Sequence, residues 1–374
     1  MGITIAPAVT PREISKVCEL RYRIYVEELQ IPTPEADHEW RWLRDPADEE
    51  SLSFAAWKDG EAIGSLRITC LADLQDPQKI LSRLCMHPAL AAFGIDSICT
   101  TSRFMLDPRL RNGRVIYPLM KAVYDHAWAR GVRLNYGDCS PHHLPFYQHM
   151  GFRNYDRGFN DPAYGYKLPL LMLMGDSTEF RRRRTPLARV SANYPEDHAV
   201  QKWYQSTYAG KEPAHTGAEL RPGGLRRYAE TYLQRPVSSA CALFRGMSHA
   251  DADQILDQST VFRVCSGDRI ARRGEPAKST FILVAGKATS VRTDRHISIE
   301  PGQHFDQHDP FEQARHSETV IADGPSIVVS IPAEVFGKMR RRAPATAARL
   351  DKNLSQANAA SRKEKRRLSA GMGA

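Results

Sequence analysis

An arginine stands where the chain has least use for a charge. Winding residues Arg12 to Gln30 as a helix at about 100° per residue gathers Ile14, Val17, Cys18, Ile24, Tyr25 and Leu29 on one apolar stripe. Arg21, within "CELRYRIYVEEL", falls in the middle of that stripe, away from Glu13, Lys16 and Glu27 on the polar edge. A lone buried charge costs several kcal/mol unless it is paired. Two chemistries suit such a position. A guanidinium fork holds a carboxylate or phosphate through two parallel hydrogen bonds, or it forms a structural ion pair. Asp45 and Asp48, in the acidic stretch "RDPADEE", are the expected partners.

The elements that must position this group alternate along the first half of the chain. After the helix comes a hairpin, "SLSFAAWKDGEAIGSLRITC", with its turn at Asp59-Gly60. "ICTTSRFML" reads as a strand. "VIYPLMKAVYDHAWARG" reads as a helix, with Pro118 in its first turn and Gly131 at its stop. "VRLNYGDCS" follows as a strand, "HHLPFYQHMGF" as a short helix and "YGYKLPLLMLM" as a last strand. This order predicts an α+β fold, a mixed sheet with helices packed on it. From about Phe244 to Pro344 short apolar strands are punctuated by Gly267, Gly274, Gly286 and Gly302, the pattern of a β-roll or jelly roll with flanking helices. The expected domains are 1–178, a linker with one helical segment over 179–240, the β-roll over 241–355 and a basic disordered tail over 356–374.

Bulk properties narrow the classes. The 374 residues are 42% hydrophobic and 25% charged, a globular composition, and no stretch reaches the roughly 18 apolar residues of a membrane span. The first residues lack the pattern of a signal peptide, and Ala6 stands where a myristoylation signal wants Ser or Thr. Seven scattered cysteines without a CxxC pair point away from disulfides and a metal site, towards a reducing cytoplasm. The net charge of +9 is concentrated in Arg181–Arg184, Arg340–Arg342 and "SRKEKRRLSAGMGA". Such runs either form solvated faces or dock an acidic partner. Without a nucleic-acid module, an acidic protein ranks above nucleic acid, and peripheral contact with lipid headgroups stays open.

The residues of the first half carry a resemblance. "HHLPFYQHMGFRNY" resembles the last motif of the GNAT N-acyltransferase fold. "LRYRIYVEEL", "RDPADEE", "GSLRIT", "TSRFMLDP" and "YGYKLPLLMLMGD" are together similar to acyl-homoserine-lactone synthases and, more closely, to long-chain N-acyl amino acid synthases. The resemblance implies that Tyr147 protonates a departing thiolate, as a hydroxyl of pKa about 10 can do. It also implies that Arg21, Tyr25, Arg67, Ser102 and Arg103 line the site. Arg21 is then expected to matter for activity more than for folding. Two departures stand out. The homoserine-lactone synthases carry a glutamate two residues before the Ser-Arg pair, and here it is Thr100. Asp138, His142 or His143 could replace it as the base, and spacing does not choose. The pyrophosphate loop of GNAT enzymes is reduced to "RLRNGRVIY", with Arg111, Gly113 and Arg114. A single-glycine loop suits one phosphate of a carrier-protein pantetheine arm better than the pyrophosphate of acyl-coenzyme A. The expected donor is thus an acyl carrier protein, with acyl-CoA the alternative, and the acceptor a small amine such as an amino acid.

"SGDRIARRGEPAKSTFILVAGKATSV" and "IEPGQHF" resemble the cyclic-nucleotide-binding domain family. In that family a glutamate takes the ribose hydroxyl and an arginine the cyclic phosphate. The matching residues here are Phe305-Asp306-Gln307 and His316-Ser317-Glu318-Thr319, with Arg315 one position off. Histidine in the arginine slot and Glu318 beside it predict a scaffold that binds no cyclic nucleotide at physiological concentration. The β-roll then serves interaction, regulation or homodimerisation. Three functions follow: an N-acyltransferase with a C-terminal regulatory domain, a non-catalytic acyl-thioester or nucleotide sensor, and a cyclic-nucleotide-regulated protein acetyltransferase.

Overall fold

The computed structural model describes residues 2–31, 33–111, 113, 115–211, 214–292, 295–305 and 315–356. Thr10 and Glu13 form a reciprocal capping box with Pro11 in the first turn, which starts helix α1 (Pro11–Arg21). The α winding ends at Arg21. Tyr22–Glu28 continues as a π-helix, a rare, wider winding that concentrates at functional sites. The periodic stripe ran on to Gln30 because composition does not distinguish the two windings.

The first sheet runs β1 (Thr4–Pro7), β2 (Leu52–Lys58), β3 (Glu61–Cys70), β4 (Ile98–Leu106), β5 (Leu134–Cys139), then β7 (Gly165–Leu173) and β6 (Arg153–Asn154) at its far edge. The β2–β3 hairpin turns at Asp59-Gly60, both at positive φ (52° and 80°), the conformation that two-residue hairpins demand. Strands β1 to β4 pair antiparallel, and β4 pairs with β5 in parallel. Helix α2 (Ile116–Ala129) buries Leu119, Met120, Val123, Tyr124 and Ala127 and packs on β2 and β3. Helix α3 (Leu144–His149) follows β5.

The second fold is the expected β-roll. One sheet holds His215–Thr216, Thr260–Val264, Ser326–Pro332, Ser279–Ala285 and His304–Phe305 in that order. The other holds Arg269–Ala271, Thr319–Ala322, Ala288–Arg292 and Arg295–Ile299. Its turns are sterically committed to glycine. Gly286 (φ 86°) would place a Cβ 2.2 Å from Ser326 Oγ, and Gly302 (φ 90°) would place one 2.4 Å from the Ala240 carbonyl oxygen. Helices His249–Leu256 and Ala333–Arg342 flank the roll and share its core through Ile255, Leu256, Val335 and Phe336. Residues 344–356 are helical, and the predicted tail beyond them lies outside the described residues.

The chain splits into two compact units. One compact unit comprises Met1–Cys139, Phe146–Asp156 and Pro169–Lys211, and the other comprises Ser140–Pro145, Arg157–Leu168 and Glu212–Ala374. The stretch read as linker is largely helical: Ser177–Arg182, Ala188–Ser191 and His198–Tyr208 in the first unit, Gly224–Leu233 and Val237–Ala240 in the second. Its Arg-rich, Pro-rich composition concealed short helices whose stability comes from packing rather than propensity. No helix among the described residues is long and apolar enough to cross a membrane.

Candidate active site

Arg21 ends α1 with 1% of its surface exposed. One terminal nitrogen binds the Asp48 carboxylate, and the other donates to Ser53 Oγ at 3.1 Å. Ser53 faces Arg67 across the β2–β3 register, and Arg67 faces Ser102 across β3–β4. Arg67 donates through Nε to Ser102 Oγ (3.1 Å) and through Nη1 to Asp45 (2.6 Å) and Asp48 (2.9 Å). Arg103 closes the cluster, donating to Asp45 Oδ2 through Nε (3.0 Å) and Nη2 (2.5 Å). The carboxylates are pre-set by their own loop. Asp45 accepts from the Ala47 N–H and Asp48 from the Asp45 N–H, around a single 3-10 turn at Pro46–Asp48.

Burial by itself would raise the Asp48 carboxyl. The Arg21 hydrogen bond and the charges of Arg21 and Arg67 outweigh it and bring the pKa down to about 2. Asp45 is lowered the same way, with Arg67 and Arg103 outweighing burial. Three guanidinium groups against two carboxylates leave one positive charge in excess. Among the described residues the Arg21 guanidinium bonds to Asp48 and Ser53, and its buried Nε has no hydrogen-bond partner. Arg103 sits at φ 54° where the β3–β4 register slips by a bulge. Positive φ is uncommon for arginine. Its guanidinium lies 5.1 Å from the centroid of the Tyr25 ring, a cation–π geometry.

Strands β4 and β5 pair only over Ile98–Leu134, Cys99–Asn135 and Thr100–Tyr136, although β4 continues to Leu106 and β5 to Cys139. The strands stay close one residue further, where a Cβ on Gly137 would lie 3.2 Å from the Thr101 carbonyl oxygen. Further along β4, Phe104 stacks on Phe146 of α3 at 5.6 Å, and Tyr147 is held edge-to-face between Phe146 and Phe152. Burial, then the neighbouring Cys139, Tyr25 and Asp138, raises the Tyr147 phenol, and its hydroxyl has no hydrogen bond among the described residues. The phenol stays protonated, and the same shift makes it a weaker acid than an exposed tyrosine.

Thr100 is buried and cannot act as a base. Asp138 shares the first unit with Tyr147 and meets Arg83 at 3.6 Å. His142 and His143 belong to the second unit. Burial, then His143, Lys167, Lys278 and His316, pushes the His142 imidazole well down. Arg111 is already occupied. Its two terminal nitrogens clasp both oxygens of Glu28, and Nε donates to the Leu106 carbonyl at 3.3 Å. The Gly113 N–H bonds back to Leu110 O at 2.9 Å, and Arg114 lies outside the described residues. Wound at about 100° per residue, Glu28 falls on the apolar stripe about 20° from Arg21, a second charge on that face that sequence reasoning passed over.

The Arg181–Arg184 run is also largely spoken for. Arg182 and Arg183 bind Glu179 at 2.5 and 2.6 Å, and Arg181 lies 3.9 Å from Glu196. In the second unit Gln307 lies outside the described residues. Arg315 donates to the Gly274 carbonyl. The His316 N–H donates to Glu275 O at 2.9 Å, and the His316 ring stacks against Phe281. Ser317 is exposed. Glu318 accepts from Ser290 Oγ, and Thr319 Oγ1 accepts from the Arg273 N–H at 3.2 Å.

Residues 16–174 match the family model of the N-acyl amino acid synthase FeeM, and residues 261–343 match that of the cyclic nucleotide-binding domain. Among solved structures, the CoA-dependent acyl-homoserine lactone synthase BjaI, with SAM and isopentyl-CoA, is 20% identical over 50% of this chain and 91% of its own, with a TM-score of 0.36. The sensor domain of the transcriptional regulator DNR from Pseudomonas aeruginosa is 20% identical over 35% of this chain and 89% of its own, with a TM-score of 0.29. A curated relative, glutaminase 2 of Bradyrhizobium diazoefficiens, is 31% identical over 114 residues, 29% of this chain. The chain spans only 18% of that relative's length.

Proposed function

We propose that the protein is an N-acyltransferase that moves a long-chain acyl group from the pantetheine thioester of an acyl carrier protein to the amine of an amino acid. Its β-roll serves as an interaction or regulatory domain. The observation that carries this reading is the Tyr147 phenol, protonated and without a hydrogen bond among the described residues, on α3 whose Phe146 stacks on Phe104 of β4. In the reaction the amine nitrogen forms a bond to the thioester carbonyl carbon, the carbon–sulfur bond breaks, and the sulfur takes the Tyr147 proton. The attacking amine must shed its own proton. Asp138, in the same unit as Tyr147, is assigned that base.

The amino-acid acceptor is supported by the excess positive charge of the Arg21, Arg67 and Arg103 cluster, which an acceptor carboxylate would balance. Arg103, half-buried and holding Tyr25 beneath its guanidinium, is the member assigned to that contact. The reduced loop around Arg111 and Gly113 supports a donor with one phosphate. In the second unit, Arg315, Glu318 and Thr319 all have partners of their own, which supports a domain that takes no cyclic nucleotide.

The test is mass spectrometry of lipid extracts from cells overproducing the protein or its Tyr147→Phe variant. N-acyl amino acids that accumulate only with the native protein support the proposal, and identical extracts overturn it. A non-catalytic acyl-thioester sensor is favoured by one observation, Thr100 buried where a carboxylate would stand. It predicts donor binding without any acylated product. Comparing acyl carrier protein with acyl-CoA as donors in vitro decides between them; faster turnover with acyl-CoA removes the carrier-protein reading.

A further inference from the structure

We infer that Glu28 is a built-in stand-in for the donor's phosphate, a carboxylate that occupies the Arg111 fork and must be displaced when the pantetheine arm binds. The inference rests on the donor reading above and concerns the residue that sets donor affinity. Three of the five Arg111 N–H donors, including the pair that forms its end-on fork, are engaged. Both terminal nitrogens are engaged end-on by the two oxygens of Glu28, and Nε is engaged by the Leu106 carbonyl at the end of β4. A carboxylate and a phosphate offer a guanidinium fork the same pair of acceptor oxygens. They cannot share the fork, so the two compete for one seat.

The clasp joins residues 83 positions apart, the last residue of the π-helix and the turn before α2. It is exposed enough to exchange. The Glu28 side chain is 25% exposed and that of Arg111 is 40% exposed, against 2% and 7% for the Arg21–Asp48 pair. Opening a deeply buried pair strands a charge, whereas an exposed pair opens at little cost and its groups re-solvate. The fold thus holds one pair for good and leaves the other replaceable. Glu28 keeps the Arg111 fork ordered and filled until a better anion arrives, and it sets the threshold that anion must exceed.

The test measures binding of S-decanoyl-4′-phosphopantetheine and S-decanoyl-pantetheine to the full chain by calorimetry, with no acceptor present. Glu28→Gln removes the competing charge, and Glu28→Asp shortens it by one methylene. Each is expected to tighten binding of the phosphorylated arm about two- to fivefold and to leave the unphosphorylated arm unchanged, with an unaltered melting temperature. Unchanged or weaker binding of the phosphorylated arm in both variants overturns the inference. Arg111→Gln separates the two layers. If it abolishes the preference for the phosphorylated arm while the Glu28 variants do nothing, the stand-in fails and the donor reading survives. If it leaves the preference intact, Arg111 is not the phosphate contact and both fail.

Discussion

In the first unit Asp45 and Asp48 each bind two guanidinium groups brought from different elements, α1, β3 and β4. In the second unit Arg315 binds the backbone of Gly274, and Glu318 binds a serine on the neighbouring strand. Both regions carry charge at the positions their family resemblances single out. Only the first gathers it into a network with a surplus of one sign. Charge that converges and stays unbalanced attracts a ligand of opposite sign. The difference lies between a unit that matches an N-acyl amino acid synthase model and one that matches a cyclic nucleotide-binding domain model.

The largest expected effect lies in the first unit. Tyr147→Phe removes the proton donor without altering the ring packing of Phe146 and Phe152, and should cut acyl transfer by about 10²–10⁴-fold. Product formation and the melting temperature, measured together, check it. A variant of near-normal activity would reduce Tyr147 to a core aromatic and blur the contrast between the units.

Arg21→Met comes next and acts on stability. Asp48 keeps Arg67 and a backbone N–H but loses a buried partner, at a cost of about 3 kcal/mol. For a unit of this size that lowers the melting temperature by roughly 6–12 °C. Activity then falls through the displaced Asp48. Activity and melting temperature measured together on this variant test the expectation that Arg21 serves activity before folding.

Acid should reveal the same network. Asp48 is held at about 2, below its ordinary 3.8, and Asp45 is shifted in the same direction. A carboxyl depressed by folding stabilises fully above its unfolded pKa, and that stabilisation is lost as the pH falls through the folded one. The first unit should therefore lose stability between about pH 4 and pH 2. Thermal melts across that window test it, and Arg21→Met should flatten the loss.

A smaller effect is expected from Arg103→Lys, which replaces a planar fork by a point charge and should raise the acceptor KM about fivefold to twentyfold with kcat nearly kept. Steady-state kinetics with an amino-acid acceptor read this directly. The smallest effect is none at all. Cyclic AMP and cyclic GMP should give no calorimetric heat at micromolar concentrations, and a clear isotherm would move the second unit to the sensing side of the comparison.

Much of the fold was legible because its signals are local. Thr10-Pro11 with Glu13 starts α1, Asp59-Gly60 turns the β2–β3 hairpin, and glycines such as Gly286 and Gly302 mark turns where a Cβ has no room. Each depends on a few neighbouring residues and their backbone angles, so it survives any change in what packs on top. The presence of Arg21 on an apolar stripe was equally plain and predicted a partner.

Tertiary structure decided what the stripe and the spacings left open. The winding changes from α to π after Arg21, and no residue type announces it; nor does one announce that Glu28 pairs with Arg111, 83 positions away. The pairing of Arg67 with Asp45 and Asp48, and of Arg103 with Asp45 and Tyr25, joins residues 19 to 78 positions apart, which only the sheet register and a bulge at Arg103 bring into reach. Ser140–Pro145 belongs to a different unit from the residues on either side of it, a division that spacing along the chain does not reveal. Sequence spacing measures distance along the chain. Charge pairing and burial depend on distance through space, and folding alone relates the two.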